Sequence, residues 1–158
     1  MFFICCYFRK FISLKKIKMQ RIIYLSSGVK VFSDEEINSL LDLSRKNNAN
    51  YGITGLLLYA DGNFLQIIEG KKEAIEMTYQ KILNDSRHKN IILITNEPIK
   101  KRSFSDWKMG YSIVNPEFLL KHPEINPFQV KKASNIDVII STFIDTFLNS
   151  FRNKVLYN

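Results

Sequence analysis

Hydrophobic and polar positions alternate along the chain in a way that predicts five strands and two long helices before residue 114. Runs of β-branched and aromatic residues bounded by turn residues mark the strands, which we expect at Ile22–Ser26, Ile53–Tyr59, Asn63–Gly70, Ile91–Ile94 and Phe104–Ile113. The first helix begins at a capping box formed by Ser33 and Glu36 and runs to about Asn48. The second helix has apolar residues at helical spacing from Ala74 to Leu83.

This element order predicts an α/β protein of the α+β type. The order β-α-β-β-α-β with a further strand is the ferredoxin-like plan, in which two helices cover one face of a mainly antiparallel sheet. The other face needs a cover, and residues 114–158 supply one as C-terminal helices. The last of these helices is expected over Asn135–Phe151, with an apolar side that carries Ile136, Ile139, Ile140, Phe143, Phe147 and Phe151.

The region around the fourth and fifth strands gives three further expectations. Ile91–Ile94 is a continuous apolar run, which is typical of a strand in the interior of a sheet. Pro98 and the charged run Lys100–Arg102 predict a solvated loop without a special role. In the fifth strand, Trp107 and Met109 alternate with polar or small residues.

One strand carries an amide where an apolar side chain is expected. Successive strand residues point to opposite faces, so Phe64, Gln66 and Ile68 share one face of their strand. A buried amide without hydrogen-bond partners costs roughly 1–3 kcal/mol. Gln66 is therefore expected to have a specific partner.

Charge and cysteine positions set the first 18 residues apart from the rest of the chain. The net charge is +8, but five of these charges lie in residues 1–18, which contain no acidic residue, so the remainder carries only +3. Nucleic-acid binding thereby loses its main support. Cys5 and Cys6 lie in the same segment, and adjacent cysteines form no disulfide framework, which favours a cytoplasmic protein. Two histidines far apart in sequence make a metal site improbable.

The chain is expected to consist of three parts. The apolar start of the chain is interrupted at Arg9 and Lys10, so it is too short to cross a membrane. Because Met19 directly precedes the first strand, we expect translation to begin there naturally, with residues 1–18 as an extension without a fold of their own. Residues 19–113 form the folded domain, and residues 114–158 form a helical cap and output segment.

In the ferredoxin-like layout, polar side chains from several elements converge between the two helices and the sheet. A phenol, two amides and an indole or thioether, framed by aliphatic side chains, describe a slot for a flat ring with polar edges. None of these groups titrates near neutral pH, so the slot predicts a holder rather than an acid–base catalyst. The side chains concerned are Tyr24, Leu40, Asn48, Gln66, Ile82, and Trp107 or Met109.

Six runs in unbroken order, covering roughly residues 20–112, resemble the BLUF family, the sensors of blue light using FAD. These runs are Tyr24–Ser26, Ser44–Asn48, Gly52–Gly55, Phe64–Gly70, Asp85–His88 and Arg102–Met109. The resemblance implies that residues 19–113 bind a flavin, FAD, whose ring lies between the two helices. Gln66 would bridge the Tyr24 hydroxyl and the N5 and C4-carbonyl edge of the flavin, and Asn48 would bind its C4-carbonyl and N3 edge.

The resemblance also implies the remaining contacts of the cofactor. Lys81 and Asp85 would meet its ribityl and phosphate side, although Lys81 stands where the family more often has arginine, which differs in geometry. The complete set of implied contacts is Tyr24, Leu40, Ser44, Asn47, Asn48, Gln66, Lys81, Ile82, Asp85, Arg87 and His88.

The chemistry implied by the resemblance is photochemical rather than enzymatic. Light would move an electron and a proton from Tyr24 towards the flavin, and Gln66 would rearrange by rotation or tautomerisation. Gln66 would then bias Trp107, Met109 and the fifth strand, which leads to the tail. The output would be altered binding of an unidentified downstream signalling protein by a chain expected to be a homo-oligomer.

Other interpretations of the same residues remain open on the sequence alone. Gln66 and Tyr24 also fit satisfied core positions, Asn48 fits a helix C-terminal signal, and Trp107 and Met109 fit core filling. From another functional class, a ferredoxin-like nucleic-acid-binding module uses aromatic residues on its sheet. A small flavin enzyme would need a nicotinamide site, for which the sequence has no motif.

Overall fold

Residues 18–105, 110–113 and 138–152 are described by a computed structural model of the protein, in which they form five strands and three helices. The strands are β1 (Met19–Gly28), β2 (Thr54–Ala60), β3 (Asn63–Lys71), β4 (His88–Ile99) and β5 (Gly110–Ile113). The helices are α1 (Asp34–Tyr51), α2 (Lys72–Leu83) and α3 (Val138–Arg152). The predicted order of strands and helices is thereby confirmed, with β5 shorter than expected.

The strands form one sheet in the order β4-β1-β3-β2-β5. The first four strands pair antiparallel to their neighbours, whereas β5 runs parallel to β2. The ferredoxin-like plan predicted from the sequence is therefore confirmed, with the fifth strand added beside β2. Two long strands, β1 and β3, occupy the centre of the sheet.

Local sequence signals explain where α1 begins and ends. The Ser33 side chain accepts a hydrogen bond from the Glu36 N–H, and the Glu36 carboxylate accepts one from the Ser33 N–H, so the predicted capping box is present. Gly52 ends the helix in the left-handed conformation at φ 61°. The helix thus continues to Tyr51, three residues beyond the predicted end.

The β2–β3 hairpin fixes the register of the strand that carries Gln66. Asp61 and Gly62 both have positive φ, at 46° and 75°, as a two-residue hairpin turn requires. Gly55 in β2 lies so close to β3 that a Cβ atom there would be 1.9 Å from the Ile67 carbonyl oxygen. Glycine is therefore needed for this strand pair to close.

Two hydrophobic cores lie on opposite faces of the sheet, as the alternation of residues predicts. Between the sheet and the helices α1 and α2, the core includes Ile22, Tyr24, Ile37, Leu41, Phe64, Ile68 and Ile75. Between the sheet and α3, the core includes Ile23, Leu56, Leu58, Leu65, Ile67, Phe104, Ile140, Ile144, Phe147 and Leu148. The expectation that a C-terminal helix covers the second face is confirmed for α3.

The expectation of an interior fourth strand is wrong. Strand β4 lies at the edge of the sheet, next to β1 only, and Ile92 and Leu93 are 59% and 46% exposed. Pro98 belongs to this strand rather than to a loop, which is compatible with an edge because proline cannot donate to a neighbouring strand. An apolar run alone does not reveal whether a strand lies in the interior or at the edge of a sheet.

The expectation that Arg102 is a solvated loop residue is also wrong. Its guanidinium donates to the Thr54 hydroxyl at 2.8 Å, to the Glu69 carbonyl oxygen at 3.1 Å and to the Gly52 carbonyl oxygen at 2.6 Å. These acceptors belong to β2, β3 and the residue after α1. Arg102 therefore fixes its turn to the edge of the domain.

Several predicted positions differ or lie outside the described residues. Ile139 in α3 and Leu83 in α2 are 47% and 44% exposed, although both were expected on the apolar side of their helix. The segments outside the described residues are 1–17, 106–109 and 114–137, together with the end of the chain after 152. They include Trp107, Met109 and Ile136.

Among the described helices, none combines the length and the apolar character that crossing a lipid bilayer requires.

Replacing Gly55 by alanine is expected to lower the free energy of unfolding by about 3 kcal/mol, because the added methyl group would overlap backbone of β3. Urea unfolding followed by circular dichroism measures this change. Gly70→Ala is the control, since its added Cβ would lie no closer than 3.3 Å to a neighbouring atom, the end of the Ile75 side chain. Equal losses for the two variants would contradict the close-approach explanation.

Candidate functional site

A cavity of about 210 Å³ lies between α1, α2 and the central strands, and it is lined by side chains from all of these elements. All eleven side chains that the sequence singled out as cofactor contacts line this one cavity. They are Tyr24, Leu40, Ser44, Asn47, Asn48, Gln66, Lys81, Ile82, Asp85, Arg87 and His88. The structure thus brings together residues that are up to 64 positions apart in sequence.

Tyr24 and Gln66 form the centre of the cavity wall. They are direct cross-strand partners in the β1–β3 register, so their side chains leave the sheet side by side. The Tyr24 hydroxyl donates a hydrogen bond to Gln66 Oε1. Tyr24 is fully buried, whereas Gln66 is half-buried because it opens onto the cavity. Tyr24 is therefore a specific hydrogen-bond partner of the kind that the sequence required for Gln66.

The environment of Tyr24 keeps its hydroxyl protonated. Burial raises the pKa of Tyr24 far above its usual value, and the nearby Tyr79 and Asp85 raise it further. The ring of Tyr79 packs against it with 5.6 Å between the ring centroids. Tyr24 therefore remains protonated near neutral pH and can donate its proton to Gln66.

Asn48 contributes an unsatisfied amide to the cavity. Its backbone carbonyl accepts the N–H groups of Gly52 and Ile53, which close the end of α1. Its side chain is 5% exposed and lines the cavity, yet Nδ2 has no hydrogen-bond acceptor among the described residues. Because such an orphaned donor costs about 1–3 kcal/mol, a ligand that brings an acceptor to this point gains that energy. The alternative interpretation of Asn48 as the signal that ends the helix is wrong, since α1 continues to Tyr51 and Gly52 provides its C-cap.

The rim of the cavity carries the charged side chains. Lys81 Nζ lies 4.7 Å from the centroid of the Tyr51 ring, a distance typical of a cation–π contact. Arg87 and Asp85 form a two-pronged ion pair, with Arg87 Nε 2.9 Å from Asp85 Oδ1. Hydrogen bonding from Arg87 lowers the pKa of Asp85, so this carboxylate remains charged near neutral pH. The Arg87 charge is thereby neutralised, and Lys81 remains as the cation at the rim that is not paired with Asp85.

His88 closes the far end of the cavity. As the first residue of β4, it places Nδ1 3.1 Å from the Ser26 hydroxyl, and its ring centroid lies 5.1 Å from that of Phe64. Burial lowers the pKa of His88, which favours the neutral ring. The histidine is therefore a packing and hydrogen-bonding element of the wall.

Four further lining residues were not singled out from the sequence as cofactor contacts: Tyr51, Leu57, Phe64 and Thr78. Phe64 shares the face of Gln66, and Thr78 precedes Ile82 by one helical turn, so strand and helix periodicity would have found both. To predict Tyr51 as a lining residue, one would have to know that α1 continues three residues beyond Asn48.

A second cavity of about 780 Å³ lies on the opposite face of the sheet, next to β4 and α3. Its lining is dominated by aliphatic and aromatic side chains such as Leu65, Ile94, Phe143 and Phe147. It is larger than the first cavity and includes Asn63 and Asn90 in its lining, but none of the eleven predicted cofactor contacts lines it. The smaller cavity is therefore the candidate site. Within the described residues, no group of three or more metal-ligating side chains occurs.

Comparison with known proteins gives one consistent result. A sequence model of the BLUF family, described as sensors of blue-light using FAD, matches residues 19–110. The photoactivated adenylate cyclase subunit beta of Euglena longa is 32% identical over 134 residues, which cover 82% of this chain and 15% of the relative. The structure of a bacterial light-regulated adenylyl cyclase aligns with a TM-score of 0.61 and 33% identity, over 88% of this chain and 36% of that chain.

The dark-state structure of BlrB, a BLUF protein, also aligns with a TM-score of 0.61, at 27% identity. That alignment covers 84% of this chain and 97% of BlrB, whereas most of each cyclase lies outside the shared domain. The cyclases are therefore longer proteins that contain a domain like this one, and BlrB has a comparable length.

The family match spans more than half of the chain, and it includes both central strands and both helices that form the cavity. The order of motifs from Tyr24 to His88 and the cavity that they line agree with it. The chain belongs to the BLUF family of sensors of blue light that use FAD.

Proposed function

We propose that this chain is a blue-light photoreceptor that binds FAD non-covalently in the cavity between α1 and α2 and signals to a partner protein. The observation that carries this proposal is the orphaned Asn48 Nδ2, which is buried in the wall of the same cavity as the Tyr24–Gln66 pair. A flavin ring has carbonyl oxygens and ring nitrogens along one edge. Such an edge supplies the acceptor that Asn48 lacks.

The polarity of the cavity supports a flat, partly apolar ligand. Leu40, Leu57 and Ile82 provide aliphatic walls, while Asn48 and Gln66 provide amides. This combination fits a ring with apolar faces and polar edges. We propose that the ring lies against the aliphatic walls, with its carbonyl edge directed towards Asn48 and Gln66.

The rim supports a ligand that extends beyond the ring. Lys81 is exposed at the edge of the cavity, above Tyr51, where it is available to a phosphate. Lysine binds phosphate as a point charge without the planar fork of arginine, so this contact is expected to add affinity more than orientation. Since a cavity of about 210 Å³ encloses a ring system rather than a dinucleotide, we propose that the adenine part of FAD lies outside it.

The proposed mechanism assigns distinct steps to Tyr24 and Gln66. A bound flavin would supply the absorption of blue light and an excited state able to oxidise a nearby phenol. Tyr24 would give its electron to the flavin and direct its proton towards Gln66 Oε1, since the two side chains are already hydrogen-bonded and Tyr24 is fully buried. Gln66 then rotates or tautomerises, which exchanges the donor and acceptor that it presents to the cavity. Return of the electron and the proton to Tyr24 would restore the starting hydrogen bonds in the dark.

The chain is proposed to act through binding rather than catalysis. Neither Tyr24 nor Gln66 titrates usefully near neutral pH, and burial raises the pKa of Tyr24 further. We propose that residues 19–113 sense light and that residues 114–158 carry the output to a partner in the cytoplasm, as part of a homo-oligomer. Trp107 and Met109 remain proposed members of the route between the two parts.

The alternative function in nucleic-acid binding loses support from the packing of α3. Ferredoxin-like modules that bind single strands use aromatic residues on an open sheet face. Here that face is covered by α3, and Ile140, Ile144 and Phe147 are buried against Leu58 and Leu65. The described part of the sheet therefore offers no open aromatic platform.

Replacing Asn48 by leucine is expected to stabilise the flavin-free protein and to weaken its binding of flavin. Removal of an orphaned buried donor raises the free energy of unfolding of the flavin-free protein by about 1 kcal/mol. Loss of one hydrogen bond to the ligand weakens flavin binding about tenfold. Chemical unfolding and fluorescence titration with FAD measure the two effects.

Asn50→Leu is the matched control for this variant, since Asn50 lies in the same helix but is exposed. Flavin affinity in Asn48→Leu equal to that of the wild type would contradict the proposed contact.

Replacing Tyr24 by phenylalanine is expected to retain the flavin and abolish the light-induced absorption shift, because the variant keeps the ring but lacks the proton that is directed at Gln66. Difference spectroscopy before and after blue illumination measures this. Tyr79→Phe is the control, because its ring packs against Tyr24 and should leave the shift intact. A normal shift in Tyr24→Phe would refute the assigned donor.

Replacing Gln66 by leucine is expected to have the same spectroscopic result for a different reason. The variant retains a side chain of similar size but has neither an amide donor nor an amide acceptor, so no exchange of hydrogen bonds is available. Flavin content per chain and the light-minus-dark spectrum are the measurements. If the leucine variant still shows the shift, Gln66 is not the group that rearranges.

A further inference from the structure

A row of charged and polar side chains crosses the sheet beyond the apolar core under α3. Arg21 in β1 pairs directly with Glu69 in β3 and with Glu97 in β4, and Glu69 pairs with Thr54 in β2. Arg21 Nε lies 2.8 Å from Glu69 Oε1, and its Nη1 lies 3.2 Å from Glu97 Oε1. We call these residues, together with Arg102, the charged row.

Glu69 is the centre of the charged row and is completely buried. Arg21 occupies one carboxylate oxygen. The other oxygen, Oε2, accepts the backbone N–H groups of Ser103 at 2.8 Å and Phe104 at 3.1 Å. A buried carboxylate that binds two consecutive backbone N–H groups fixes the path of the chain at that point.

Arg102 holds the same turn from the other side. It donates to the Thr54 hydroxyl and to two carbonyl oxygens, those of Glu69 and Gly52. Phe104, two residues further, is 3% exposed in the core under α3. Residues 102–104 are therefore attached to β2 and β3 by hydrogen bonds and to α3 by packing.

The position of Glu69 connects this turn to the photoactive pair. Glu69 follows Gln66 by three residues on β3, and its side chain points to the opposite face of the sheet. The turn that it holds precedes Trp107 by three residues and β5 by six. One central strand thus carries the proposed light-sensitive amide and the anchor of the segment that leads to the fifth strand.

We propose that Glu69 is a positioning residue of the photocycle: by binding the Ser103 and Phe104 N–H groups, it holds the approach to β5 in its dark arrangement. This inference rests on the proposed function, in which Gln66 acts on that segment. In this proposal the two hydrogen bonds are made in the dark arrangement and weakened in the lit one, so their removal takes away part of the free energy that favours return to the dark. Dark recovery then slows, while flavin binding and the size of the light-induced shift stay unchanged.

The test compares Glu69→Gln with Glu97→Gln in the full-length, flavin-loaded chain. Both substitutions remove a negative charge that binds Arg21, but only Glu69 also holds the turn. A carboxamide has a single acceptor oxygen, so the side chain introduced by Glu69→Gln cannot serve both Arg21 and the backbone. Hydrogen exchange at the Ser103 and Phe104 amides is expected to be at least tenfold faster in Glu69→Gln, and dark recovery at least threefold slower. Glu97→Gln should match the wild type in both.

A second pair of variants covers the case in which Glu69→Gln does not fold. Arg102→Met releases the turn from its more exposed side, and Lys100→Met removes a charge from an exposed position two residues away. Arg102→Met is expected to slow dark recovery by at least threefold, and Lys100→Met to leave it unchanged.

Two results would overturn the proposal. Dark recovery that is unchanged or faster in the folded Glu69→Gln or Arg102→Met variant contradicts the proposal. Faster amide exchange with normal recovery shows that Glu69 is structural only. A wild-type chain that takes up no flavin would instead refute the proposed function, which the exchange data alone do not address.

Discussion

The cross-strand hydrogen bond between Tyr24 and Gln66 depends on the backbone register of β1 and β3. These two strands lie at the centre of the sheet and pair from Met19 and Lys71 to Ser27 and Asn63. A shift by one residue would turn Gln66 to the opposite face. The hairpin turn and the close approach of Gly55 fix β3 against β2, so the position of the amide is set by backbone geometry before any ligand is considered.

The cavity wall contains polar groups that are hydrogen-bonded to each other and one buried polar group that is not. Tyr24 and Gln66 satisfy each other, while Asn48 presents a buried N–H without an acceptor among the described residues. Folded proteins rarely leave such a group unpaired. The closed end of α1 explains why this one persists, since the backbone of Asn48 is held by Gly52 and Ile53 whatever its side chain does. A ligand with an acceptor edge would satisfy this group.

Much of the fold followed from local patterns in the sequence, and eleven of the residues that line the cavity followed from the family resemblance. Strand alternation placed Tyr24 and Gln66 on the helical face, and the capping box placed the start of α1. The sequence did not place β4 at the edge, because an apolar run carries no information about its neighbours. It also did not reveal the contacts of Glu69 and Arg102, since these join residues more than 30 positions apart through side-chain geometry.

The most direct test of the central claim is the absorption spectrum of the purified full-length chain, recorded in darkness, after blue illumination and again after return to darkness. The protein should be yellow, should absorb at longer wavelength after illumination because the hydrogen bonds offered by Gln66 have changed, and should revert in the dark. A correctly folded but colourless protein that cannot be reconstituted with any isoalloxazine compound would contradict the claim.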